Sequence, residues 1–137
     1  MGSNASASLS PAEARHLLRR TGFGAPADKV QSVLNRYPTR GQAADYVLTF
    51  KPAKFKPGGK SIDGIRNNWI RYMTTVKPAL QEKLVLFWHD HFATGNDKVD
   101  NYRLMAAQNQ LLRQFCVGDF KALENLDLAD SLLHGRL

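Results

Sequence analysis

Two histidines and one carboxylate stand side by side at His89, Asp90 and His91. Neutral imidazoles bind zinc and similar divalent ions, and a bound ion lowers the pKa of its water towards neutrality. A neighbouring carboxylate can orient that water or accept its proton. The triplet therefore predicts a metal site in which His89 and His91 are ligands and Asp90 is the catalytic, water-orienting base.

Metal-dependent lactonases and related hydrolases use a longer pattern, His-x-His-x-Asp-His, and here the pattern stops after the triplet. One hypothesis is therefore a small metal-dependent hydrolase that acts on an ester or a lactone, with a small molecule as its substrate. The alternative is that His91 is a satisfied histidine of the core and that His89 is an ordinary surface residue.

Oxygen ligands follow the triplet at Asp97 and Asp100. Carboxylates are the ligands that Ca²⁺ prefers, so both residues are candidate accessory metal ligands. Their spacing does not match an EF-hand. A simpler interpretation makes Asp97 the N-cap of a helix that runs from about Val99 to Val117. The predicted cofactor is a divalent metal, zinc or calcium.

A helix must position the triplet. It is expected to begin at Lys77-Pro78, and its apolar stripe of Leu84, Phe87 and His91 has the spacing of one helical face. Because each residue turns a helix by about 100°, His89 lies about 200° away from His91. Two histidines placed in this way can share an ion only if the helix unwinds near them.

Capping signals divide the rest of the chain into helices. Ser10 with Glu13 and Thr39 with Gln42 have the spacing of capping boxes, and Ser61 can cap a further helix. The sequence contains no internal repeat and no convincing strand. It predicts an all-α fold, a single domain of about seven short helices that form an irregular helical bundle.

Composition bounds the class of protein. With 137 residues, 43% of them hydrophobic and 23% charged, the chain has enough apolar residues for one globular domain. We expect a disordered tail over residues 1–8 and the helical domain over residues 9–137. No run reaches the length of about 18 apolar residues that a membrane span needs. Cys116 is the only cysteine, which excludes an internal disulfide and favours a buried structural thiol.

The net charge of +7 makes anions candidate partners. Arg15, Arg19 and Arg20 could bind an anion beside Gly22 and Gly24, although a solvated helix face explains these arginines equally simply. The sequence has no P-loop, no Gly-x-Gly-x-x-Gly and no Gly-x-Ser-x-Gly elbow.

A basic loop over residues 50–60 gives a third hypothesis, a weak polyanion binder without sequence-specific nucleic-acid recognition. Its aromatic residues, Phe50 and Phe55, could stack on bases while lysines contact phosphates. The lysines are Lys51, Lys54, Lys56 and Lys60.

Three stretches in fixed order resemble the signature of one bacterial family. They are ARHLLRRTGFG over residues 14–24, the segment over residues 82–99 with Glu82-Lys83 and FWHDHFAT, and QNQLLR followed by GDF within residues 108–120. The family is known only as a domain of unknown function, number eighteen hundred, and the resemblance covers residues 9–124.

The resemblance implies a long helical protein that is usually exported and often encoded beside sulfatase-like proteins. This chain is several times shorter than such members and departs from their pattern after Glu124, so it is identified as a truncated N-terminal part. We therefore expect a helical fragment without assured catalysis, an interaction module whose uncovered apolar surface leads to self-association. The segment over residues 1–8 is not a signal peptide, so the chain as written is expected in the cytoplasm, and exported if a leader has been lost.

Overall fold

The computed structural model describes residues 4–51, 53–56, 58–92, 99–118 and 121. In this part of the chain one 3-10 turn and six α-helices form an all-α single domain without a sheet, which confirms the predicted fold class. The prediction of about seven helices is close to this number. The helices are α1 (Pro11–Thr21), α2 (Ala27–Arg36), α3 (Arg40–Leu48), α4 (Ile62–Thr75), α5 (Leu80–Phe92) and α6 (Tyr102–Phe115).

The predicted helix starts at both capping boxes are confirmed. The Glu13 backbone N–H donates to Ser10 Oγ at 3.3 Å, and the Ser10 N–H donates back to the Glu13 carboxylate at 2.9 Å. Thr39 and Gln42 make the same reciprocal pair at the start of α3. Ser61 caps α4 through its side chain. These starts follow from local hydrogen bonding alone.

The start of α6 differs from the prediction. The helix begins at Tyr102 rather than near Val99, because the Asn101 side chain caps it by accepting from the Arg103 backbone N–H at 3.0 Å. Asp97, the predicted N-cap, lies outside the described residues.

The segment before α1 was predicted to be a disordered tail, and for the described residues 4–8 that prediction is wrong. Asn4–Ser6 form a 3-10 turn, and Ser8 makes an isolated antiparallel bridge with Thr39. The Arg40 backbone N–H donates to the Ala7 carbonyl at 3.0 Å. Backbone pairing with the entry to α3 therefore orders the segment.

Two hydrophobic clusters form the core. The first lies among α1, α2 and α3, around Ala14, Val30 and Val33. The second joins α5 to α6 and the turn after it, around Val85 and Leu112. The candidate site lies on the second cluster.

The described helices include none with both the length and the apolar character needed to cross a bilayer. This finding agrees with the predicted absence of a membrane span.

Candidate functional site

The inward face of α5 is polar at its N-terminal end. Gln81, Glu82 and Val85 are the buried residues of this helix, whereas Phe87, on the predicted core stripe, is 57% exposed. The helix begins at Leu80, not at the predicted Lys77-Pro78. The contacts of Glu82 determine how α5 is rotated about its own axis.

Glu82 forms a buried ion pair with Arg113 of α6. Both contacts, Arg113 Nε to Glu82 Oε1 and Arg113 Nη2 to Glu82 Oε2, measure 2.7 Å, so the pair is bidentate. The side chains are 0% and 2% exposed. Two charges so deeply buried are tolerated only when good geometry and further hydrogen bonds offset their desolvation.

Neighbouring side chains supply those further contacts. Trp69 Nε1–H donates to Glu82 Oε2 at 2.7 Å, and Arg113 Nη1 donates to Asn109 Oδ1 at 2.8 Å. The Phe55 ring lies 5.1 Å from the guanidinium carbon, within cation–π distance. We call Glu82, Arg113, Trp69 and Asn109 the buried polar cluster.

Phe55 connects the basic loop to this cluster. Its ring is 8% exposed and stacks on Tyr72 at 4.8 Å, and its carbonyl accepts from the Gln110 side chain. The Ala53 backbone N–H donates to Gln81 Oε1 at 2.8 Å. Phe55 is thus held in the interior, and its predicted role of stacking on bases is wrong.

The lysines of the basic loop, in contrast, are exposed. Weak polyanion binding through Lys51, Lys54, Lys56 and Lys60 stays a prediction.

His89 lies beside the buried polar cluster. Its ring centroid is 5.2 Å from that of Trp69, and its side chain is half-buried. Burial lowers the pKa of His89 below its ordinary value, and the positive charge of Arg113 lowers it further. The imidazole is therefore neutral at pH 7 and able to accept a proton or bind an ion.

His91 is exposed, so its predicted place on the core stripe is wrong. The reason is that the buried side of α5 centres on Glu82 and Val85. The His91 ring instead lies parallel to the exposed Phe87 ring at 6.3 Å.

The two imidazoles are carried by one continuous helix. Because α5 is unbroken from Leu80 to Phe92, His89 and His91 lie about 200° apart around its axis. The unwinding that a shared ion requires does not occur there. Among the described residues no three or more His, Cys, Asp or Glu side chains are grouped as a metal site. Asp100 is exposed at a φ of 40°, and Asp97 lies outside the described residues.

An open concavity of about 550 Å³ lies on the outer side of α5 and brings some of the predicted residues together. His89 and Asp90 both line it, and His91 does not. Its lining residues are Trp69, Lys83, Leu86, Phe87, His89 and Asp90. We call this surface the α5 concavity.

The three arginines predicted to bind an anion lie exposed on α1. Arg19 and Arg20 occupy its last turn, where positive charge favours the helix dipole. Anion binding by Arg15, Arg19 and Arg20 stays a prediction.

Sequence reasoning missed the buried polar cluster. The available signal was the helical spacing of polar and apolar residues, since Glu82 precedes Val85 by three positions and Arg113 precedes Cys116 by three. This spacing is compatible with a buried pair, but hydrophobic periodicity alone does not single it out.

Comparison with known proteins places the chain in a family. A family model with the description "Protein of unknown function (DUF1800)" matches residues 16–127, a range that contains both Glu82 and Arg113. No curated protein and no solved structure matches the chain. Since the matched range covers most of the 137 residues, the chain belongs to the DUF1800 family of proteins of unknown function.

Proposed function

We propose that the chain is a non-catalytic helical interaction module and that the outer face of α5 binds the same face of a second copy. The observation that carries the proposal is the exposure of Leu86 and Phe87, at 42% and 57%, next to each other on a helix whose opposite side carries the buried residues Gln81, Glu82 and Val85. Contiguous exposed apolar side chains are a feature of interaction surfaces.

The face has the symmetry that self-association requires. Lys83, Leu86, Phe87 and Asp90 are spaced three, four and seven residues apart, which places them on one side of α5. In an antiparallel pairing of two such helices, Leu86 and Phe87 meet at the centre, while Lys83 of one copy faces Asp90 of the other. A contact between two identical patches of this kind is isologous.

The two charges at the ends of the face differ in their contacts within the chain. Asp90 is exposed and has no ion-pair partner among the described residues. Lys83 already donates to the Arg19 and Gly22 carbonyl oxygens, so a contact with Asp90 of a second copy would share an ammonium that also binds the end of α1. Opposite charges at the rim would fix the orientation of the two copies more than they would strengthen binding.

Light scattering coupled to size exclusion tests the proposal over a range of protein concentrations. The parent chain should dimerise, and Leu86→Glu should give a monomer because it buries a carboxylate at the centre of the contact. The matched control is Leu48→Glu, since Leu48 is 63% exposed on α3 and outside the α5 concavity. A parent chain that stays monomeric at the highest concentration, or a dimer that Leu86→Glu leaves intact, would refute it.

A metal-dependent hydrolase of an ester or lactone is the second candidate, and one observation favours it. His89 and Asp90 line the same concavity, and the lowered pKa leaves the imidazole neutral at pH 7. His89 would then be a ligand or base and Asp90 the water-orienting carboxylate, with zinc or calcium supplying the Lewis acid.

Metal analysis after incubation with zinc or calcium separates this candidate from the first. Bound ion together with chelator-sensitive ester hydrolysis, lost in His89→Ala and retained in His91→Ala, would support the hydrolase. If the protein takes up no ion and hydrolyses no ester, the hydrolase candidate is refuted. The dimerisation test is unaffected by that result.

A further inference from the structure

A second recess of about 390 Å³ lies between the first three helices and the connection from α4 to α5. Its walls come from the end of α1, from α2 and α3, and from the segment over residues 73–79. We call it the interhelix cleft. It is separate from the α5 concavity, with which it shares no lining residue. Its volume falls in the range of small-molecule sites.

The charges around the interhelix cleft are uneven. Lys29, Arg36 and Lys77 line it together with a single carboxylate, Asp28, so the lining carries a net charge of +2. In the described part of the chain none of the three cations has a carboxylate within ion-pair distance. A recess whose lining carries a net positive charge attracts an anion.

Part of the lining of the interhelix cleft is apolar. Val33 and Val47 are 6% and 3% exposed and line it, as does the half-buried side chain of Met73. Tyr46 also lines it, and burial raises the pKa of Tyr46, so its hydroxyl stays protonated and can donate a hydrogen bond. A ligand that fits therefore has an apolar body as well as a charged group.

We infer that the interhelix cleft binds a phosphate monoester with a small apolar body. A phosphate monoester carries between one and a half and two negative charges at neutral pH, which matches the net charge of the lining. Arg36 and Lys77 are exposed, so the phosphate lies at the mouth, and the apolar body lies against the half-buried side chains of Tyr46 and Met73. Arg15, Arg19 and Arg20 do not line the cleft, although Gly22 and Gly24 do.

Calorimetric titration with phenyl phosphate tests the inference, with inorganic phosphate and benzoate as comparison ligands. Phenyl phosphate should bind at least tenfold more tightly than either, because only it combines the dianion with an apolar body. Inorganic phosphate binding as tightly would show attraction to charge alone, and benzoate binding as tightly would show a carboxylate site. Either result, or no binding of phenyl phosphate, overturns the inference.

Variants test whether phenyl phosphate binds in the interhelix cleft. Lys77→Gln should weaken phenyl phosphate binding roughly tenfold, the lower end of what a hydrogen bond to a charged group contributes. Lys56→Gln is the matched control, since Lys56 is exposed and outside the interhelix cleft. Ser32→Phe should block the cleft without changing its charge. An equal loss in Lys56→Gln, or unchanged binding in both Lys77→Gln and Ser32→Phe, would overturn the assignment to this cleft.

Discussion

Lys83 Nζ lies 3.0 Å from the carbonyl oxygen of Gly22, and this hydrogen bond links α5 to the end of α1 across 61 residues of sequence. The same ammonium also approaches the Arg19 carbonyl at 3.4 Å and the Phe23 ring at 5.7 Å. The last carbonyls of a helix lack partners within the helix, and a lysine from elsewhere satisfies them here. Lys83 therefore connects the helix of one core cluster to a helix of the other.

Replacing Lys83 by methionine should destabilise the domain by about 1 kcal/mol, because the carbonyls at the end of α1 lose a charged donor. Urea unfolding monitored by circular dichroism measures the loss. Lys60→Met is the matched control, since Lys60 is exposed and makes no hydrogen bond among the described residues. Equal stabilities of the two variants would contradict the link.

Removing one partner of the buried ion pair should be far more costly. Arg113→Met or Glu82→Leu alone should lower the free energy of unfolding by roughly 3–5 kcal/mol, since each leaves an uncompensated buried charge. The double variant should cost less than the sum of the two by at least about 2 kcal/mol. A double-mutant cycle by denaturant unfolding gives this coupling, and additive losses would mean that the pair does not act as a unit.

Stability should fall as the pH decreases below 6.5, the ordinary pKa of histidine. Because the pKa of His89 is lowered in the folded state, the unfolded chain takes up a proton first, and unfolding is favoured on acidification. The loss begins near pH 6.5 and levels off below the folded pKa. Thermal unfolding between pH 8 and pH 5 measures it.

The His89→Gln variant should flatten this pH dependence, and His91→Gln, at the exposed position, should not. Glu13 does not interfere, because its pKa is lowered from 4.5 and its contribution is lost only at more acidic pH. A steeper slope in His89→Gln than in the parent would contradict the assignment.

Cys116 should resist thiol reagents in the folded protein. Its side chain is 5% exposed, and burial raises the pKa of the thiol to about 11, so little thiolate forms at pH 8. Labelling with a chromogenic disulfide at pH 8 should be slow in buffer and rapid in urea. Rapid labelling without denaturant would show that the end of α6 opens readily. The buried position confirms the predicted structural thiol.

Local signals predicted local structure well. The capping boxes at Ser10 and Thr39 involve residues three apart, so the sequence contains both partners within one turn. The orientation of α5 depends instead on Arg113, which is 31 residues from Glu82. Hydrophobic periodicity assigns charged residues to the solvent-exposed side of a helix. It therefore predicted the wrong buried side for α5.

Because the buried side of α5 was predicted wrongly, the predicted environments of its two histidines were also wrong. Once the inward face centres on Glu82, His89 lies beside Trp69 and His91 lies in solvent, the reverse of the predicted arrangement. The interhelix cleft was equally inaccessible to sequence reasoning, because Lys29 lies on α2 and Lys77 in the connection from α4 to α5, and neither belongs to a motif.

The buried ion pair also limits how α5 can slide along α6. A shift of one helical turn, about 5.4 Å, would separate the Glu82 carboxylate from the Arg113 guanidinium and leave both charges buried without each other. Two purely apolar helix faces could tolerate such a shift, since leucine and valine contacts are interchangeable. The pair therefore fixes the register of the two helices, because it selects a single alignment from several that hydrophobic packing alone would allow.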